Sequence, residues 1–185
     1  MRSNNAGFTL VELVISMAIG VIVIAGIMGI FVSQSRVQSS EASRIEMIAD
    51  LQLAGQLIRS ELHWAQDIYT ECTGKVFYRP MESTAAFPPA DCNTVDSQNG
   101  LFKLETAANC TTGGASSTTG CICWDRPNFN NCDELIRNIK AGTGLQATSD
   151  SYGEVYQVDI YGQFTGADHL QHDLATRITV WPRNQ

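Results

Sequence analysis

Three sets of side chains in this 185-residue chain have the type and spacing to do chemistry. The first is Glu12, the single charged residue in an otherwise apolar run from Phe8 to Val32. A carboxylate inside such a run costs roughly 2.5–3.5 kcal/mol on membrane-insertion scales unless it meets a partner, so its natural chemistry is charge pairing. The second set is six cysteines, Cys72, Cys92, Cys110, Cys121, Cys123 and Cys132. They are candidates for disulfides or, through Cys121-x-Cys123 with Cys110 and Cys132, for a metal site. The third is His169-x-x-His172 with Asp168 and Asp173, a set that could ligate a cation at helical spacing but reads more simply as a polar loop. Asp125, Asp133 and Glu134 lack the regular acidic spacing of a calcium loop. No phosphate-binding glycine loop, His-Glu-x-x-His or Gly-x-Ser-x-Gly stretch is present, so the sequence offers no nucleophile, base, catalytic site or cofactor site.

The elements that must position these residues differ sharply along the chain. Phe8 to Val32 comprises 25 residues, which as a helix span about 37 Å, enough for a hydrocarbon core of about 30 Å with some tilt. Arg2 and the chain amine place the short polar leader, residues 1–7, on the cytoplasmic side and everything after the apolar run outside. A cleaved secretory signal fits badly, because the run is too long and no small-x-small site closes it. A plain anchor leaves Glu12 unexplained. From Ser33 the composition turns polar, and from Ile45 an apolar stripe returns in Leu51, Ala54, Ile58, Leu62 and Ala65, flanked by Ile48, Leu57 and Trp64. The pattern predicts a nearly continuous helix from Thr9 to about Tyr69, with Leu51, Ile58 and Leu62 packed on a sheet.

Residues 70–185 read as a globular head. Tyr156, Val158 and Ile160 alternate within Glu154–Tyr161, as Ile178 and Val180 do within Arg177–Trp181, and a loop over Gln163–Asp173 joins the two predicted strands. Gly74–Arg79 and Leu101–Leu104 are earlier strands. Thr111–Gly120 reads as a loop on composition, and Asp150–Gly153 as a turn. A helix followed by strands gives an α+β class, a long helix packed on a small antiparallel sheet. The net charge of −7 argues against nucleic acid as the main partner. Six cysteines, all beyond the apolar run, point to an oxidising compartment. They allow fifteen connectivities, and Cys121 and Cys123, on one side of a strand, each bond elsewhere.

Gly7-Phe8-Thr9-Leu10-Val11-Glu12 resembles the prepilin processing motif of type IV pilins and type II secretion pseudopilins, over about the first 30 residues. The resemblance implies cleavage between Gly7 and Phe8 by a membrane prepilin peptidase, N-methylation of Phe8, and a glutamate as the fifth residue of the mature chain. It also implies a pilin-like fold. Its divisions are a leader at 1–7, a transmembrane polymerisation helix at 8–32, an amphipathic continuation at 33–69 and a periplasmic head at 70–185. In an assembled filament the Glu12 carboxylate can pair with the Phe8 amine of a neighbouring subunit, offsetting the burial of both charges and setting axial register. The implied partners are the peptidase, other pilin subunits, the inner-membrane assembly platform and the membrane itself, crossed once.

Leu51 to Leu62, with Arg59 and Glu61 and followed by Cys72, is similar to the PilW-type minor pilins; Arg59 and Glu61 read as solvated helix-face charges. The leading functional expectation is therefore a minor pilin, inserted in the inner membrane and then carried into a type IV pilus. There it primes assembly or sits near the tip, in adhesion, motility or DNA uptake. The alternatives are a J-type minor pseudopilin of type II secretion, against which the cysteines favour the pilus, and a periplasmic binding or enzymatic domain on an uncleaved anchor.

Overall fold

The computed structural model describes residues 9–94, 96–110, 119–128 and 132–183. They form one long helix and eight strands: α1 (Leu10–His63), β1 (Ala65–Tyr69), β2 (Lys75–Pro80), β3 (Gly100–Thr106), β4 (Thr119–Asp125), β5 (Cys132–Lys140), β6 (Leu145–Ser149), β7 (Tyr156–Thr165) and β8 (Gln171–Val180). The chain divides into two compact units, Met1–Ala42 and Ser43–Gln185.

In the first unit α1 is apolar on every side as far as Val32, with a mean hydropathy of 2.7 in its most apolar stretch, none of it buried. A helix apolar all round needs lipid or other helices as its surroundings.

In the second unit, the head, the residues of α1 from Ser43 on lay Met47, Leu51, Ala54, Ile58 and Leu62 against an antiparallel sheet ordered β1-β2-β3-β4-β5-β7-β6, with β8 paired on β7. This is an α+β fold of a long helix on an antiparallel sheet. The spacing of three and four residues puts the buried set on one helix face. The sheet answers at period two with Val76, Tyr78, Phe102, Ile122, Trp124, Val158, Ile160, Ile178 and Val180. Gly162 on β7 is what permits the close approach, since a Cβ there would drive into the Met47 side chain.

The structure corrects the predicted element boundaries. The helix ends at His63, and Ala65–Tyr69, predicted as helix, is strand β1. Its pairing with β2, through Ile68 opposite Tyr78 and Tyr69 opposite Phe77, outweighs the helical periodicity that Ala65 continues. Gly74, at φ 70°, makes the turn between the two strands, closed by the Lys75 N–H donating to the Cys72 carbonyl at 3.0 Å. The predicted Gln163–Asp173 loop is mostly ladder: Gln163 faces Asp173, Phe164 faces His172 and Thr165 faces Gln171, leaving a tight turn between them. Strands β5 and β6 are not anticipated by the sequence, and β4 is anticipated only as the strand that carries Cys121 and Cys123. Thr119 and Gly120, assigned to a loop, open β4, while residues 111–118 lie outside the described residues.

Candidate functional site

Gly7 and Phe8 lie outside the described residues, so the local geometry begins at Thr9. Thr9-Leu10-Val11-Glu12 closes the start of α1 as a reciprocal cap. The Glu12 N–H donates to Thr9 Oγ1 at 3.3 Å, while the Glu12 carboxylate accepts from the Thr9 N–H at 3.2 Å and from its hydroxyl at 3.0 Å. Two N–H groups that the first turn would leave unpaired are thereby satisfied, and the negative charge sits at the positive end of the helix dipole. Ser16 adds a hydroxyl bond to the Glu12 carbonyl at 2.7 Å. Sequence reasoning singled out Glu12 and missed Thr9. The signal was present as a Thr-x-x-Glu spacing ahead of an apolar run. Among the described residues the Glu12 carboxylate has no cationic partner, so it is positioned, exposed and open to one.

The six cysteines form three disulfides: Cys72–Cys92, Cys110–Cys121 and Cys123–Cys132, with Cα separations of 5.6, 6.1 and 5.2 Å. This replaces the metal alternative, because a disulfide sulfur has no thiolate to offer. Cys121 and Cys123 do share one side of β4, the side opposite Ile122 and Trp124, and each is bonded to a cysteine outside that strand. Among the described residues no group of three or more His, Cys, Asp or Glu is placed to hold a metal ion. His172 instead bonds Asp168 at 3.0 Å, holding that carboxyl below its usual range, and His169 occupies a turn position at φ 62°. Asp125 pairs with Lys103 at 3.2 Å, Asp133 with Arg126 at 2.8 Å, and Glu134 with Arg137. Asp150 caps its predicted turn, accepting from the N–H groups of Glu154 and Val155 at 2.8 and 3.1 Å.

Glu61 departs from its sequence reading as a solvated charge. It accepts from the buried Tyr78 hydroxyl at 3.3 Å, and that hydroxyl accepts from Trp124 Nε1–H at 2.8 Å. Burial pushes the Tyr78 phenol well above its ordinary pKa, so it stays neutral and donates. Phe102 stacks between the rings of Tyr78 and Trp124, at 5.5 and 5.9 Å. The polar chain and the aromatic stack tie three strands to one turn of α1. They explain how the head holds the helix without supplying a reactive group.

Residues 2–28 match the family described as the prokaryotic N-terminal methylation motif. No curated protein and no solved structure significantly matches the chain. The apolar helix, the antiparallel sheet with its disulfides, and this motif together support a type IV pilin-like protein, of a pilus or a pseudopilus. The motif indicates a structural protein rather than an enzyme, processed by a prepilin peptidase and anchored by its apolar helix.

Proposed function

We propose that this chain is a minor pilin of the PilW type. It is cut between Gly7 and Phe8, N-methylated on Phe8, held across the inner membrane with its head in the periplasm, and then drawn into a type IV pilus through α1. The observation that carries the reading is the methylation motif over residues 2–28, in which Glu12 stands alone in an apolar helix. The cap from Thr9 adds support: it aims the carboxylate at the end of the helix where a neighbour's Phe8 amine would arrive. An amine that finds this carboxylate in lipid neutralises both charges, whereas either one left alone costs several kcal/mol. The head then decides which subunits follow, in priming or at the tip.

Intact-mass measurement of protein extracted from membranes tests the processing. The expected chain begins at a methylated Phe8. A chain still carrying residues 1–7, in cells with an active prepilin peptidase, overturns the proposal. The motif serves pseudopilus subunits equally, so a deletion strain is scored for both surface pili and protein secretion. Loss of pili with normal secretion is the expected result, and the reverse assigns the chain to a pseudopilus.

A further inference from the structure

The last turns of α1 and strand β8 enclose an open groove of about 440 Å³ within the head, lined by Gln56, Arg59, His63, Trp64, Thr179 and Trp181 among others. Its floor is fixed by two bonds. Trp181 O meets His63 Nδ1 at 3.0 Å, and the Arg183 N–H donates to the His63 carbonyl at 3.1 Å. Three observations bear on what it holds.

First, β8 is an edge. It pairs with β7 in unbroken register from Val180 opposite Tyr156 to Gln171 opposite Thr165, and among the described residues no strand pairs its other side. No bulge or proline interrupts it, and the part beside the groove, Thr176 to Val180, includes four β-branched residues, Thr176, Ile178, Thr179 and Val180. An edge this long and regular offers a row of backbone donors and acceptors that only another backbone can satisfy in turn.

Second, two tryptophans flank the groove with most of their surface in solvent, Trp64 at 53% and Trp181 at 60% exposed. Large aromatic side chains in such a place supply contact area at low entropic cost when something covers them.

Third, within the head the charge is unbalanced here and largely balanced elsewhere. In a chain of net charge −7, Arg79, Lys103, Arg126, Arg137, Lys140 and Arg177 each sit on a carboxylate. Lys75 lies on the Cys92 carbonyl. Arg59 and Arg183 have no carboxylate partner among the described residues. Arg59 lines this groove, and Arg183 lies beside it with its guanidinium 4.9 Å from the centre of the Trp64 ring. Among the described residues no acidic side chain lines the groove.

We propose that this groove docks an extended, acidic peptide segment of a partner protein, which adds to the open edge of β8 as a further strand. Its backbone pairs with β8 between Thr176 and Val180, its apolar side chains lie on Trp64 and Trp181, and its carboxylates meet Arg59 and Arg183. A nucleic acid would use the cations and the rings but leave the edge unpaired.

The test uses the full chain in detergent micelles and an acetylated, amidated peptide of alternating glutamate and valine, about ten residues long to match β8. Controls are the lysine-for-glutamate peptide, the acidic peptide N-methylated at alternate residues, and an oligodeoxythymidine. Affinity is read by titration, and contact by amide hydrogen exchange over residues 175–180. The expected result is binding of the acidic peptide at least about tenfold tighter than its lysine counterpart, with slowed exchange along β8. Arg59→Gln with Arg183→Gln should lose that preference at an unchanged melting temperature, and N-methylation should abolish binding. No binding, equal affinity for the lysine or N-methylated peptide, or binding without exchange protection overturns the proposal. Tighter binding of the oligonucleotide overturns it in favour of a nucleic acid.

Discussion

Leu10–Val32 and Met47–Leu62 belong to one helix and differ in what their apolar side chains touch. In the first stretch Val11, Ile15, Ile22 and Phe31 are at least half exposed, as are most of their neighbours. In the second, Leu51, Ile58 and Leu62 are sealed against the sheet, and exposed Leu53 is an exception. The contrast teaches where each stretch finds its stability. The second carries its partner within the chain. The first has none among the described residues, so its apolar surface is an instruction to bind something else, first lipid and, under the proposed function, neighbouring helices.

The largest expected effect removes the single charge of the first stretch. Glu12→Ala should still insert and be processed, because losing the carboxylate favours lipid by roughly 2.5–3.5 kcal/mol. Incorporation should fall more than about a hundredfold, since an unpaired amine in a buried site costs about 3–5 kcal/mol. Immunoblots of membrane and sheared-filament fractions check it, and equal incorporation breaks the pairing proposal. Next comes a matched pair across the comparison. Ile58→Ala should cost the head about 2–5 kcal/mol in urea unfolding, whereas Ile22→Ala should leave the same transition within about 0.5 kcal/mol. A destabilised head in the second variant would show that the two stretches are not independent.

Replacing Cys72 and Cys92 together by alanine should cost about 3 kcal/mol for a sequence separation of 20 residues. The same urea transition measures it, with no change in membrane insertion. Thr9→Val should weaken the helix start by about 0.5–2 kcal/mol through loss of the cap, seen as faster amide exchange over the first turn. Smallest is the pH dependence of one surface pair. Burial alone would depress the Lys103 ammonium, yet Glu105 and Asp125 push it above its ordinary 10.5; burial alone would raise Glu105, yet Asn109 and Lys103 bring it below 4.5. The lysine's contribution is full below its ordinary value and lost as pH rises through the raised one. The glutamate's is full above its ordinary value and lost as pH falls through the lowered one. Both side chains keep only part of their surface in solvent, 23% and 22%, yet that opening to water still screens the pair, so Lys103→Met should flatten these limbs by about 1 kcal/mol in urea titrations across pH.

What the sequence made legible follows how local each signal is. The apolar run and the stripe through Leu51, Ile58 and Leu62 announce α1 by composition and period. Tyr156, Val158 and Ile160 announce β7 by alternation. The extent of strand β4 beyond Cys121 and Cys123 hides because Ile122 and Trp124 alternate with cysteines that are equally buried, so polarity shows no contrast. Its register with β5 also shifts on both sides of Ile122. β5 hides because Leu135, Ile136 and Ile139 mimic helical spacing, and Asn138 within it departs from extended backbone at φ 54°. β6 buries only Leu145 fully and is held by β7. At the candidate sites, Glu12 was legible because its neighbours are so unlike it. The Trp64–Trp181 groove was not, because its members are separated in the chain and meet only through the sheet.

The disulfide map has a consequence for how the chain is made. Each cysteine is joined to the next one along: Cys72 to Cys92, Cys110 to Cys121, Cys123 to Cys132. Of the fifteen possible arrangements this alone has no bridge crossing or enclosing another. A chain entering an oxidising space in sequence order therefore presents every thiol with its correct mate before any later cysteine can compete. The longest wait is 20 residues, a few seconds at about 5–20 residues per second of synthesis. Production of the oxidised head requires an oxidase alone, and a strain lacking only disulfide isomerase should accumulate it at the normal rate.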